Sequence, residues 1–132
     1  MMTDSELVNF LYKQFCENAE LMKLLGSPKT AKARQEKIRR GITPLSYVTE
    51  DKVNFISIHY SSFTETENIY VIRGFLHIEY FTRNREDLDK IRVIVKEIML
   101  KNDLICGSSY DVASDIKGVI QYTDKFRPLC FA

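Results

Sequence analysis

The longest alternating pattern in the chain is residues 69–82, IYVIRGFLHIEYFT. From Tyr70 to Tyr80 every second residue except Gly74 is apolar, which is the pattern of a β-strand that buries one face. The opposite face carries Arg73, Phe75, His77, Glu79 and Phe81. At about 3.3 Å per residue, such a strand is longer than the core of a small domain, so we expect it to project as one arm of a long hairpin.

A helical pattern follows in residues 84–102, NREDLDKIRVIVKEIMLKN. Its apolar residues recur every three or four positions and so share one face: Leu88, Ile91, Ile94, Val95 and Ile98. Asn84 can cap the first turn, and the helix dipole favours the acidic residues near the start and Lys101 near the end. We therefore expect a long helix whose apolar face covers a sheet.

Shorter patterns precede this pair of elements. Leu7, Leu11 and Phe15 predict an N-terminal helix, because a spacing of four residues places them on one face. Asn18 is a suitable N-cap for a short second helix, which Gly26 would end in the left-handed conformation. Residues 53–60 alternate as a strand that would pair with the long one.

The C-terminal pattern is weaker. Residues 118–123 predict a strand, and residues 126–131 predict a short edge strand interrupted by Pro128. Residues 107–109 and 111–115 are rich in Gly, Ser and Asp, so we expect loops there.

The order of elements predicts one α+β domain over residues 1–132. It has N-terminal helices, a projecting long hairpin and a mostly antiparallel sheet packed against the helix at about 84–102. The composition, 45% hydrophobic and 28% charged, is that of a soluble globular protein. Lys and Arg total 19 against 18 Asp and Glu, which argues against a protein that coats nucleic acid through bulk positive charge.

No targeting or membrane segment is visible in the sequence. A bilayer-spanning helix needs about 20 apolar residues, and no run approaches that length. The N-terminus lacks the basic and then apolar pattern of a secretory signal. We therefore expect no membrane contact and synthesis in a cytoplasm.

The residues that could carry chemistry form no recognisable site. Three cysteines, Cys16, Cys106 and Cys130, are far apart and predict reduced thiols rather than a disulfide framework or a metal centre. His59 and His77 could face each other across the hairpin, but no ordered nucleophile accompanies either of them. We expect no catalytic residue, metal or cofactor, and a small enzyme that uses one of these histidines is the weakest hypothesis.

Residues 29–40 are the strongest electrostatic feature. Glu36 is their one acidic residue, and the candidate partner-binding cations are Lys32, Arg34, Lys37, Arg39 and Arg40. The segment is either a mobile basic excursion or a poorly anchored helix, because Ile38 is its one large apolar residue. Its cations would contact nucleic-acid phosphates or an acidic partner surface, or they would simply be solvated.

The order of several short segments resembles one known family. These segments are LMKLLG at 21–26, PLSYV at 44–48, FISIHY at 55–60, RGFLHIEY at 73–80, LDKI at 88–91 and IQY at 120–122. The likeness spans about residues 5–131 and is to the small tail-terminator and tail-completion (head-to-tail joining) proteins of long-tailed bacteriophages. It is a likeness of pattern and contains no single diagnostic motif.

The resemblance implies an α+β subunit that forms a ring, a hexamer in the virion, which caps the tail tube and joins it to head connector or stopper proteins. DNA would pass through the ring without sequence-specific binding, and the protein, made in the host cytoplasm, would reside in the tail or neck. Two regions transfer as contact surfaces, segment 29–40 and loop 61–68, the latter with Phe63, Glu65 and Glu67. Segment 29–40 departs from the family pattern, which is more extended and less basic there.

A second hypothesis is a small nucleic-acid-binding module. It would use segment 29–40 for phosphates and aromatic residues of the long strand for base stacking: Tyr70, Phe75, Tyr80 and Phe81. Aromatic residues in this pattern are more often part of a core, so the two interpretations stay open.

Overall fold

The computed structural model describes residues 4–62, 74–114 and 116–128. The helices are α1 (Asp4–Glu17), α2 (Ala19–Leu24), α3 (Ala31–Lys37) and α4 (Arg85–Lys101). The strands are β1 (Ile38–Arg40), β2 (Phe55–Ser62), β3 (Gly74–Thr82), β4 (Leu104–Val112) and β5 (Ile120–Pro128). Leu45–Tyr47 form a short 3₁₀ turn.

The five strands form one sheet in the order β1-β2-β3-β5-β4. β1 runs parallel to β2, and the other neighbouring pairs are antiparallel. β3 and β4 therefore point the same way with β5 between them, and α4 makes the crossover connection that such strands require. The fold is of the α+β class with a mostly antiparallel sheet and N-terminal helices, as the sequence predicts.

The main core lies between one face of the sheet and helices α1, α2 and α4. The sheet contributes Ile38, Ile56, Ile58, Leu76, Ile78, Tyr80 and Phe126, and the helices contribute Leu11, Phe15, Leu21, Leu88, Ile91, Val95 and Met99. Removing these side chains from water is the main stabilising contribution to the fold. The opposite side of the sheet is here named the open face, because none of the described helices covers it.

One end of the open face is covered by a second, smaller core. Residues 41–54 fold over it, so that Val48 and Val53 pack on Phe55 and Phe81. The Phe55 and Phe81 rings are stacked with centroids 4.6 Å apart, and the Tyr47 ring meets Phe55 edge-on at 5.3 Å. The rest of the open face consists of the alternate residues of β2, β3, β5 and β4.

Two predictions for the C-terminal part of the chain are wrong. Residues 107–109 and 111–112, predicted as loop, belong to β4, and residues 126–128 continue β5 instead of starting a separate edge strand. β4 is the outermost strand, so its residues from Gly107 to Val112 are exposed and need no apolar alternation. A bulge between Cys106 and Ser108 further disturbs the pattern.

The predicted hairpin is present in its described part. β2 and β3 pair from Phe55 with Phe81 to Ser62 with Gly74. The part that the sequence predicts to project, which includes residues 69–73, lies outside the described residues. The N-terminal part of the chain contains Asn18 as the N-cap of α2, with its side chain accepting the Leu21 N–H at 2.9 Å.

Asn54 joins three parts of the fold at the start of β2. Its side-chain amide donates to the Leu24 carbonyl at 3.1 Å and to the Asp87 carboxylate at 3.0 Å. Its side-chain carbonyl accepts the Arg83 N–H at 2.8 Å. The end of α2, the start of α4 and the turn after β3 are therefore fixed to one another through a single buried amide.

We expect Asn54→Ala to lower the free energy of unfolding by about 2–3 kcal/mol, because buried partners lose their hydrogen bonds. Urea denaturation measures the loss. Asn9→Ala is the matched control, since Asn9 accepts a hydrogen bond from Arg40 at the exposed surface. It should cost less than about 0.5 kcal/mol. Equal losses of unfolding free energy in Asn54→Ala and Asn9→Ala would contradict the role of Asn54 in holding these three parts of the fold together.

Candidate functional site

Segment 29–40 forms a short helix followed by a short strand. Thr30 caps α3, with its hydroxyl accepting the Ala33 N–H at 3.0 Å. None of the α3 residues is buried, whereas Ile38 in β1 is fully buried against the main core. The segment is therefore an exposed helix anchored at its C-terminal end by a strand in the sheet. The sequence did not predict β1, because three residues are too few to give a pattern.

Lys37 is used inside the fold. Its ammonium donates to the carbonyl oxygens of Lys52 at 2.9 Å and Asn54 at 3.3 Å. Burial lowers the pKa of Lys37, and the nearby Arg83 lowers this pKa further. Lys37 therefore fixes α3 to the turn before β2, and its contact with a partner stays a prediction.

Arg39 and Arg40 point to opposite sides of the sheet, because successive residues of a strand alternate. The Arg39 guanidinium lies 3.8 Å from the centre of the Tyr47 ring. Arg40 donates to Asn9 at 2.6 Å and lies 4.4 Å from the centre of the Tyr12 ring. Both cations are thus engaged with α1 or with residues 41–54.

The predicted partner-binding residues do not form one surface. Lys32 and Arg34 lie on α3, where Arg34 donates to the Lys29 carbonyl at 3.4 Å. The other three cations point in different directions, as described above. The predicted contact residues Phe63, Glu65 and Glu67 lie outside the described residues.

His59 and His77 pair across β2 and β3, as the sequence predicts. Their rings are stacked with centroids 4.6 Å apart and planes 6° apart. Burial lowers the pKa of His59, and burial together with His59 and Lys125 lowers the pKa of His77 to about 4. Both rings are therefore neutral at pH 7. Glu79 lies 3.6 Å from His59 Nδ1, and burial raises the pKa of this carboxyl group.

Lys125 lies beside this pair on the open face. Its ammonium is 5.8 Å from the centre of the Phe75 ring and 5.5 Å from the centre of the Tyr110 ring. β5 carries Lys125 between β3 and β4, which supply these two rings. The sequence pattern did not place Tyr110 in any site, because the residues on both sides of it, 107–109 and 111–115, were predicted as loops.

A buried polar cluster around Asp124 was also missed. Asp124 is fully buried on the helix-facing side of β5, and Arg92 of α4 donates to both carboxylate oxygens at 3.0 Å. Tyr80 donates at 2.8 Å and Ser109 at 2.5 Å. Burial alone would raise the pKa of Asp124, but these hydrogen bonds, from Arg92 above all, hold it below its usual value.

The Asp124 cluster has a structural role. Arg92 also lies 4.2 Å from the centre of the Tyr122 ring, so its guanidinium is held from two sides. Burial, and then the charge of Asp124, raises the pKa of Tyr80 well above its usual value. Tyr80 keeps its proton and Asp124 stays ionised, so neither group is poised to exchange a proton near neutral pH, as general acid–base catalysis requires.

Other features of the described residues add no reactive centre. No group of three or more His, Cys, Asp and Glu side chains is placed to hold a metal ion within residues 4–62, 74–114 and 116–128. Cys16 and Cys106 are free thiols, and Cys130 lies outside the described residues. None of the described helices is long and apolar enough to cross a membrane.

No family model matches the sequence, and no curated protein matches it significantly. The surfaces of this chain and the order of its sequence segments are therefore the observations that bear on its function.

The histidine pair should make the protein less stable as the pH falls. The pKa of His77 is about 4 in the folded state, against 6.5 for an unperturbed histidine. Between these values the unfolded state binds more protons, so the free energy of unfolding decreases as the pH is lowered from 6.5 towards 4. Urea denaturation at pH 7 and pH 5 measures this decrease, and His77→Gln should reduce it.

Glu79→Gln provides the opposite control for this prediction. The pKa of Glu79 is raised in the folded state, so its protonation favours folding as the pH falls. Removing that contribution should make the loss of stability between pH 7 and pH 5 steeper. A pH dependence that is the same in the wild type and in His77→Gln would contradict the effect assigned to His77.

Proposed function

We propose that this protein is a non-enzymatic virion subunit that forms a ring, caps the tail tube of a phage and joins the tail to the head. The order of its sequence segments, which resembles tail-terminator and tail-completion proteins, supports this function. So does the α+β fold that the resemblance implies. The observation that carries the proposal is a pair of exposed apolar patches at opposite edges of the sheet.

The first patch, here named the β1 patch, consists of Ile42, Pro44 and Leu45. It follows β1 directly in the chain, and Ile42 and Leu45 are 76% and 75% exposed. Large apolar side chains in solvent are ordinary one at a time, but a cluster of them often marks an interaction site. The neighbouring helix α3 carries the exposed Lys32.

The second patch, here named the β4 patch, consists of Tyr110 and Val112. They lie on β4, are 44% and 37% exposed, and share the open face. Among the described residues no strand pairs with the outer edge of β4. An exposed edge strand offers backbone N–H and C=O groups for pairing with a second chain.

The two patches are too far apart to cover each other within one subunit. β1 and β4 are separated by four strand spacings of roughly 4.8 Å, or about 19 Å. A contact between two different patches on successive subunits is heterologous, and its repetition closes a ring when the rotation allows. This is the kind of contact that a tail-terminator hexamer needs.

Leu45→Asp and Val112→Asp each place a carboxylate in one patch. Sedimentation velocity over a rising concentration series, with and without isolated tail tubes, should show rings for the wild type. Each variant alone should stay monomeric. An equal mixture of the two variants should form dimers that cannot close, because each supplies the intact patch that the other lacks.

Leu100→Asp is the matched control, because Leu100 is exposed on α4 outside both patches. This variant should assemble as the wild type does. Wild-type protein that remains monomeric at every concentration, and also in the presence of tail tubes, would contradict the proposed function.

A further inference from the structure

The open face combines cations with one exposed and one partly buried aromatic ring. Lys125 and Arg127 are two residues apart on β5, so both point to this face. Phe75 on β3 and Tyr110 on β4 flank the Lys125 ammonium at 5.8 Å and 5.5 Å. These four residues are here named the cation–aromatic cluster.

A glycine in β4 lets the Arg127 side chain lie close to the backbone beside the cluster. Gly107 forms the bulge of β4, and a Cβ atom there would lie 3.5 Å from Cδ of Arg127. The Arg127 side chain therefore lies over β4 at its least bulky position, and Arg127 as a residue is exposed. Tyr110 and Ser108 beside it are exposed as well.

The charge of the open face favours an anionic ligand. Among the described strand residues of this face, Glu79 is the one carboxylate, and it is half-buried beside His59. His59 and His77 are neutral at pH 7, as their lowered pKa values indicate. At the other end of the face, the strand residue Arg39 lies 3.8 Å from the centre of the Tyr47 ring. The covering residues 41–54 add Lys52 but also Glu50 and Asp51, so the excess of positive charge lies on the strands.

We propose that the open face binds single-stranded nucleic acid. Bases stack on Tyr110 and Phe75, and the phosphates pair with Lys125 and Arg127. Proteins that bind single strands commonly combine a positively charged surface with aromatic side chains on which bases stack. A duplex hides the faces of its bases, and an acidic peptide would use the cations without the rings.

This activity differs in location from the one suggested by the basic segment 29–40. Segment 29–40 lies at the β1 edge of the sheet, whereas Lys125 and Arg127 lie two residues apart on β5, beside rings of the neighbouring strands β3 and β4. The proposal concerns the free subunit. All four residues of the cluster belong to one chain, and Tyr110, which is also part of the β4 patch, would be covered by the contact proposed for the ring.

Fluorescence anisotropy with a labelled oligo-dT tests the proposal at low salt, at protein concentrations where sedimentation shows the monomer. Lys125→Met should weaken binding about tenfold. It should also reduce the slope of the logarithm of the binding constant against the logarithm of the salt concentration by about one, because one phosphate contact is lost. Tyr110→Ala should weaken it by a similar factor, because stacking on one ring is lost. Tyr110→Phe should bind as the wild type does, since it keeps the ring.

Lys13→Met is the matched control, because it removes the same charge from an exposed position on α1, behind the sheet. It should leave the affinity unchanged.

A second readout is the pKa of His77 by NMR, which should rise when the oligonucleotide places phosphate beside Lys125. Tyr110 is exposed, so its variants report on binding even if Lys125→Met reduces stability.

Three results would overturn the proposal. The first is no binding of oligo-dT at low salt. The second is loss of affinity in Lys32→Met but not in Lys125→Met, which would locate the contact on α3. The third is binding of duplex DNA or poly-glutamate as tight as that of the single strand, which would show a purely electrostatic or a peptide-binding surface.

Discussion

The fold depends on one buried carboxylate. Asp124 on β5 accepts hydrogen bonds from Arg92 on α4, Tyr80 on β3 and Ser109 on β4. A charge in a core costs several kcal/mol unless hydrogen bonds and an opposite charge compensate it, so these partners must all be present together. The requirement ties α4 to three strands and fixes where the helix lies along the sheet.

The position of α4 separates the two sides of the sheet. With α1 and α2 beside it, α4 buries one face, while residues 41–54 cover only one end of the other. The remaining open face and the two sheet edges are therefore the surfaces that a partner can reach. The two proposals use these surfaces: the apolar patches at the edges bind other subunits, and the cation–aromatic cluster, which shares Tyr110 with the β4 patch, binds nucleic acid in the free subunit.

Sequence patterns predicted the elements that bury large apolar side chains. β3 and α4 alternate or repeat clearly because the core selects their residues, whereas β4 is exposed at an edge and carries a bulge at Gly107. Prediction of the candidate site from the sequence was limited in the same way. Counting charges in segment 29–40 could not show that Lys37 is bonded to backbone carbonyls.

The Asp124 cluster left a visible signal in the sequence. Ile120, Tyr122 and Phe126 share its face of β5, so a carboxylate among them required a buried partner. That partner, Arg92, lies 32 residues earlier in the chain, and only the fold brings the two together.

Whether Asp124 and Arg92 hold α4 on the sheet is measured most directly by a double-mutant cycle of Asp124→Asn and Arg92→Met. The structure predicts a coupling energy of about 1.5–3 kcal/mol in urea denaturation, because either variant alone already removes the pair. If the effects of the two substitutions on the free energy of unfolding add to within about 0.5 kcal/mol, this coupling between Asp124 and Arg92 is contradicted.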